Sequence, residues 1–213
     1  MKGLFITFEG NDGSGKSSCL ERIMSDLKIK GYDVVLTREP GGSKIAEQIR
    51  KVILDTQNLG MDPKTEALLY AASRRENVIK TIVPSLEEGK IVLCDRYIDS
   101  SLAYQGFARN IGIEEVEKMN QFATDGLYPS ISFLFCVKPE IGLNRISKNR
   151  NSKDRLELEK IDFHNKVYDG YMSVAEKYHD RIVKIDGEKN PDEVYNDVTN
   201  ILYHYIEEHY NEN

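Results

Sequence analysis

One residue after the apolar run Leu4-Phe5-Ile6-Thr7-Phe8 the chain reads Gly10-Asn11-Asp12-Gly13-Ser14-Gly15-Lys16-Ser17. A strand, a G-x-x-x-x-G-K-[ST] loop and a helix in that order build a phosphate-binding loop. The glycines allow a tight turn and bring backbone N–H groups within reach of phosphate oxygens. Lys16 would reach the terminal phosphates, the Ser17 hydroxyl could ligate Mg²⁺, and the following helix directs its positive end at the same anion.

The rest of the chain continues the alternation that this loop begins. Short apolar runs at Leu4–Phe8, Val34–Thr37, Ile91–Cys94, Ile131–Val137 and Ile182–Ile185 read as strands. Between and after them lie helical patterns at Cys19–Lys30, Ser43–Leu54, Lys64–Glu87, Ile113–Asp125, Ile141–Ser147, Leu158–His179 and Asp192–Glu208. Strands alternating with helices predict an α/β fold, a parallel sheet covered on both faces with right-handed crossovers. Ligands of such sheets sit beyond the carboxyl ends of the strands. The phosphate loop, Arg38-Glu39-Pro40-Gly41-Gly42 and Asp95-Arg96-Tyr97 each follow a strand, so three loops are expected to meet at one edge.

Length and charge narrow the function classes. At 213 residues the chain suits one domain spanning 1–213 with a small mobile insertion. A formal net charge of −6 argues against a protein built to coat nucleic acid. No run approaches the ~18–20 apolar residues that span a bilayer, and Met1-Lys2-Gly3 leads straight into the first strand, so neither a membrane segment nor a signal peptide is expected. Cys19, Cys94 and Cys136 lie in apolar or helical patterns and read as buried reduced thiols, which predicts a cytoplasmic protein. Residues 148–155, Lys-Asn-Arg-Asn-Ser-Lys-Asp-Arg, hold no apolar side chain and read either as a solvated loop or as a lid that folds over phosphates. Asp95 stands where a Walker-B-type acid would hold Mg²⁺ near Ser17.

Beyond these signals, Thr37-Arg38-Glu39-Pro40-Gly41-Gly42, Tyr70-Ala71-Ala72-Ser73-Arg74 and the block from Asp95 to Gly106 resemble the thymidylate kinase family, over nearly the whole chain from Phe8-Glu9-Gly10 to the final helix. The resemblance implies a P-loop NTPase three-layer fold with a five-stranded parallel sheet and a lid near residues 145–157. It implies transfer of the ATP γ-phosphate to dTMP with Mg²⁺, and a homodimer. Arg96 would clamp the dTMP phosphate with help from Arg38 and Arg50, because a planar guanidinium matches a phosphate better than an ammonium does. For Arg50 the alternative is a surface residue of an amphipathic helix. Tyr70 and Arg74 share a helix face and would meet the thymine ring and one of its carbonyls. Phenylalanine is the more familiar residue at the first of these positions, and ordinary core is the alternative for Tyr70.

The same resemblance assigns Glu39, Ser100, Ser101 and Gln105 to the dTMP site and makes Tyr104 the ring that disfavours a ribose 2′-OH. Asp12 would bind the sugar 3′-OH or position the acceptor phosphate. ATP would lie on Gly10 to Ser17 and Ser18, with Arg145 nearer the adenine. The acceptor is already a phosphate anion near neutral pH, so the chemistry needs positioning and charge rather than a protein base. Lys16 would supply positive charge. Gly13 offers no arginine from the loop, so Arg150 and Arg155 are the expected lid arginines.

Two other classes stay in view. A GTPase switch would need N-K-x-D, and the nearest string, Asn165-Lys166-Val167-Tyr168-Asp169, has different spacing within a helical pattern. A kinase for another nucleoside monophosphate is the alternative within the enzyme class, opposed by Tyr104 and the block from Ser100 to Gln105.

Overall fold

The computed structural model describes residues 3–149 and 154–211. Five parallel strands, β1 (Leu4–Gly10), β2 (Val34–Arg38), β3 (Ile91–Asp95), β4 (Ile131–Cys136) and β5 (Ile182–Asp186), form one sheet in the order β2-β3-β1-β4-β5. The connection leaving β1 runs to one side of the sheet and that leaving β3 to the other. Their carboxyl ends therefore flank the switch point at which open α/β sheets bind ligands. Phe8, Asp95 and Arg38 lie level across three strands. Two bonds carry the pairing past the strand ends: Arg96 N–H donates to Phe8 O at 2.9 Å, and Glu39 N–H to Asp95 O at 2.9 Å.

Alternation along β1 divides the core. Leu4, Ile6 and Phe8 pack with α1 (Lys16–Ile29) and α9 (Pro191–Asn211), through Leu20, Ile23, Leu27, Val198 and Leu202. Phe5, Val92 and Leu134 face the other way. That layer contains α3 (Pro63–Asn77), α4 (Val83–Glu87), α5 (Ile98–Ser101), α6 (Ile113–Thr124) and α8 (Ile161–Lys177). Helices α2 (Lys44–Leu54) and α7 (Pro139–Asn149) complete the set. The Ser43 hydroxyl caps α2 by accepting from Ala46 N–H, and the Asp62 carboxylate caps α3 by accepting from Thr65 N–H.

Most expected elements appear, with shifted ends. β1 runs on to Gly10 because Glu9 and Gly10 still pair with Leu134 and Phe135. Asp95 is the last residue of β3 rather than the first after it, and β4 stops at Cys136, one residue short of Val137. The single helix expected over Lys64–Glu87 passes through a π turn at Val78–Ile82, just before Pro84, whose missing N–H breaks the regular ladder. α8 starts at Ile161, not Leu158, since Asp154 Oδ1 accepts from the N–H groups of Leu156 and Glu157 and closes a turn there. α5 and the π-helical stretch Leu102–Ala108 that continues it were not expected as helix. Nine of the eleven residues from Ile98 to Ala108 are buried apolar or buried polar groups, Phe107 is exposed and Gly106 has no side chain, so no one-sided apolar stripe marks the segment.

Candidate active site

The phosphate loop joins β1 to α1. Gly15, in left-handed conformation, starts α1, and no side chain caps the helix, so its first N–H groups face the cleft in front of it. Lys16 is buried and folded back: its ammonium donates to Asn11 O at 3.0 Å and to Ser14 Oγ at 3.2 Å. Burial and the neighbouring Arg96 lower its pKa to about 8. Ser17 Oγ donates to Asp95 Oδ2 at 2.7 Å, placing a hydroxyl and a carboxylate together at the foot of the loop. These are hard oxygen donors, the kind that Mg²⁺ takes alongside water and phosphate oxygens, so the pair fits that ion. Among the described residues no cluster of three or more His, Cys, Asp and Glu side chains forms an all-protein metal cage.

Gly13 has φ 74°, and a Cβ there would stand 2.1 Å from Gly142 O of α7. The loop and α7 thus touch backbone to backbone, and no side chain fits between them. Asn11 is buried with neither side-chain polar atom partnered among the described residues.

Two clefts open at this edge. The phosphate cleft is lined by Asp12 to Ser18, with Arg38, Asp95 and Arg145 around them and Asp154 and Glu157 from beyond residue 153. The aromatic cleft beside it is lined by Tyr70, Arg74, Ser100, Ser101, Tyr104 and Gln105, with Pro40, Leu54 and Leu156. Asp12, Glu39, Arg50, Arg96 and Asp154 line both. Of these, Arg96 and Asp12 are ion-paired at 2.6 Å, and Tyr104 OH donates to the other Asp12 oxygen at 3.3 Å. Burial pushes the Asp12 carboxyl up, but Arg96 and Lys16 outweigh it and hold the group below its ordinary value. Arg96 has φ 69°, a conformation seldom taken by residues with a Cβ.

The floor of the aromatic cleft is an ionic framework. Arg74, 1% exposed, donates through Nε to Glu39 Oε2 at 2.6 Å, through Nη1 to Ser101 Oγ at 3.0 Å and to Asn120 Oδ1, and through Nη2 to Tyr97 O at 2.9 Å. Four of its five N–H groups are engaged by these bonds, so the guanidinium is rigidly oriented. Gln105 Nε2 donates to Glu66 Oε1 at 2.9 Å, which fixes the amide.

The sequence-expected residues divide accordingly. The structure brings Asp12, Glu39, Arg50, Tyr70, Arg74, Arg96, Ser100, Ser101, Tyr104 and Gln105 to one cleft, and Asp12, Gly13, Ser14, Gly15, Lys16, Ser17, Ser18, Asp95 and Arg145 to the other. Gly10 and Asn11, the buried first residues of the loop, line neither. Arg50 is half-buried and donates to Pro40 O at 2.7 Å, which sets aside its reading as a plain surface residue. Tyr70 is half-buried: it lines the cleft and also packs against the edge of the core. Arg38 stands apart from the other two arginines' cleft: it sits on the phosphate side, more than half exposed, and shares Glu47 through two contacts of 3.3 Å.

Arg155 departs from its expected place over the phosphates. It is 2% exposed, and Nε donates to Ile53 O at 2.6 Å while Nη2 donates to Glu66 Oε2 at 2.7 Å. Glu66 is fully buried and also receives Arg109 and Gln105, so this carboxylate draws Arg155 into the protein body. Arg150 lies outside the described residues. Arg145 donates to Gly187 O at 3.0 Å, where the chain leaves β5 beside the phosphate loop.

Sequence reasoning passed over Glu66, Asn120 and Tyr171. Each is a lone polar residue on an amphipathic helix with no motif around it, and each becomes a partner of a cleft residue only through contacts distant in sequence. Glu66 carried the one usable signal, standing a helical turn before Tyr70.

A phosphate loop at the switch point of a five-stranded parallel sheet, abutting a second cleft floored by arginines and an aromatic ring, defines a P-loop phosphotransferase. The thymidylate kinase family model matches residues 8–198. A thymidylate kinase of Geobacillus sp. (strain WCH70) is 53% identical over 196 residues, 92% of this chain and 93% of the relative. That of Ligilactobacillus salivarius (strain UCC118) is 51% identical over 208 residues, 97% of this chain and 100% of the relative. The crystal structure of thymidylate kinase from Ehrlichia chaffeensis superposes with a TM-score of 0.76 at 34% identity, covering 95% of this chain and 99% of that one. The chain belongs to the thymidylate kinase family.

Proposed function

We propose that the protein phosphorylates dTMP to dTDP at the expense of ATP, by direct in-line transfer of the γ-phosphate. Family membership supports the reaction. The observation that carries the site assignment is the junction: Arg96 and Asp12 line both clefts, so two phosphorylated molecules bound in them meet at these side chains. ATP then lies along the phosphate loop, its phosphates on the N–H groups of α1 and on Lys16. dTMP lies in the aromatic cleft, thymine against Tyr70 and the Arg74–Gln105 wall, phosphate towards Arg96 and Arg50.

Arg96 exchanges its bond to Asp12 for the acceptor phosphate, which frees Asp12 to receive the sugar 3′-OH beside Tyr104. Lys16 leaves Asn11 O and Ser14 for the donor phosphates. Ser17 and Asp95 would hold Mg²⁺, which supplies charge neutralisation at the phosphates. Residues 145–157 act as the lid, with Arg145 and Arg150 as its cations and the buried Arg155 anchoring its far end.

The protein is further proposed to be a cytoplasmic homodimer. Phe122 on α6 and Leu68 on α3, two helices in contact, are left 88% and 60% exposed, as apolar side chains that a second copy covers would be. The three cysteines are free, as a reducing compartment would keep them. No helix among the described residues is long and apolar enough to cross a membrane. A coupled assay with ATP and a panel of nucleoside monophosphates tests the reaction: dTMP should be turned over fastest, and equal or faster turnover of UMP, CMP or AMP rejects the acceptor assignment.

A further inference from the structure

Arg96 is held on two sides. Nη2 donates to Asp12, while Nη1 donates to the Tyr171 hydroxyl at 2.8 Å and lies 3.4 Å from Ser100 Oγ. Tyr171 lies on α8, 2% exposed, and lines neither cleft. Its hydroxyl is 2.7 Å from Ser100 Oγ, which lies 2.5 Å from Glu9 Oε2. The other Glu9 oxygen accepts from Tyr97 N–H at 2.8 Å, which ends the chain in the backbone just after Arg96 itself.

A guanidinium only donates, so its orientation is set by the acceptors around it. Asp12 is one of these, and it is the acceptor that an incoming phosphate displaces. On Nη1 the near acceptor is Tyr171 at 2.8 Å, with Ser100 Oγ longer at 3.4 Å, and Tyr171 lies outside both clefts. Burial pushes the Tyr171 hydroxyl far above its ordinary range, so it stays a neutral hydroxyl at working pH. With Ser100 donating to Glu9 and Tyr171 donating to Ser100, the Tyr171 oxygen keeps a lone pair for Arg96.

We propose that Tyr171 is a positioning residue for phosphoryl transfer, holding Arg96 at the angle at which its remaining N–H groups meet the acceptor phosphate, and that Ser100 and Glu9 fix Tyr171 in turn. Helix α8, which follows the proposed lid, is thereby tied to the acceptor clamp. The inference rests on Arg96 as the acceptor-phosphate ligand, proposed above.

Steady-state kinetics of the full chain with ATP and dTMP, on Tyr171→Phe, Arg96→Lys and the double variant, tests it. Losing one hydrogen bond to a charged group should raise KM for dTMP about tenfold in Tyr171→Phe, with KM for ATP kept within about twofold. In the Arg96→Lys background the same substitution should add almost nothing, because its effect runs through the guanidinium. Equal losses for both substrates, an unchanged KM for dTMP, or additive effects would overturn the proposal. Should Tyr171→Phe fail to fold, Glu9→Gln, at a residue that lines neither cleft, weakens the chain at its far end and must show the same coupling to Arg96→Lys. If Arg96→Lys alone leaves dTMP kinetics intact, the assignment of Arg96 falls; if it impairs them and Tyr171→Phe does not, only the role of Tyr171 falls.

Discussion

Arg96 Nη2 and Asp12 Oδ1 stand 2.6 Å apart, joining the loop after β3 to the loop after β1 across the sheet's switch point. In the proposed reaction each would hold the place of a substrate group for the other: the carboxylate would stand in for phosphate oxygens, and the guanidinium would occupy Asp12 until a hydroxyl arrives. Such an exchange would link acceptor binding to the donor loop.

Replacing Arg96 by Ala should therefore lower turnover by at least ~10²-fold, since it removes the cation at the junction of the clefts. Lys16→Ala should do the same from the donor side, again by about 10²-fold or more. Single-turnover phosphoryl transfer measures both, and a near-wild-type rate in either variant refutes its placement.

The depressed Lys16 pKa of about 8 gives nucleotide binding a pH dependence. Donor phosphates favour the charged ammonium, so above pH 8 binding must be accompanied by proton uptake. Affinity for ATP should then fall by up to about tenfold per pH unit above that point, and stay flat with respect to Lys16 below it. Calorimetry in buffers of different ionisation enthalpy counts the protons, and zero uptake at alkaline pH contradicts the expectation.

Burial, with Asp99 adding to it, pushes Glu9 up to about 8, while Arg96 draws it down. Lys16, Arg181 and Cys94 also face it. The folded state thus binds a proton that the unfolded chain releases above its ordinary carboxylate pKa. The sign follows: this contribution to stability is full below about pH 4.5 and is lost as the pH rises towards 8. Glu9→Gln cannot lose a proton, so it should lack that slope, gaining on the natural protein between roughly pH 5 and 8. Urea denaturation across that range checks this, and parallel curves for the two proteins would rule it out.

Arg155→Met should act on stability before chemistry. Breaking its buried pair with Glu66 is expected to cost about 3 kcal/mol and to lower Tm by roughly 6–12 °C. Turnover per folded molecule should change far less than in Arg96→Ala. Loss of turnover with Tm unchanged would restore Arg155 to the phosphates.

Tyr104 packs edge-on to Tyr171, ring centroids 6.1 Å apart, with its hydroxyl on Asp12. Tyr104→Ala should relax the preference for deoxy over ribo acceptors by about tenfold or more, as a site loses a steric barrier. Competition between dTMP and its ribo counterpart reads this directly, and an unaltered preference excludes the gate.

The placement of the phosphate loop and of Asp95-Arg96 at one edge was legible because it is local: each rests on spacing at one strand end, and strand ends of a parallel sheet share an edge. The Tyr70–Arg74 pair is singled out by resemblance to the family, and i, i+4 spacing adds only that the two share a helix face. Arg155 misled because a basic run reads as solvated or phosphate-facing until its partner is known. Glu66 lies 89 positions away, and no local pattern announces a buried carboxylate. The segment from Ile98 to Ala108 was missed as helix for a related reason, since a segment buried on most sides has no amphipathic stripe.

By itself, the sequence determined the alternation of strand and helix, the phosphate loop and the edge at which ligands gather, all consequences of short-range periodicity and backbone geometry. Only the tertiary structure decided which cations face the clefts. Arg74 and Arg155 are committed to buried carboxylates, Arg38 to a partly exposed one, and Arg96 is shared between Asp12 and Tyr171. For Arg74, Arg96 and Arg155 the reason is electrostatic: a guanidinium with little access to water goes to the nearest acceptor, and that acceptor is brought by chain folding from a distant part of the sequence.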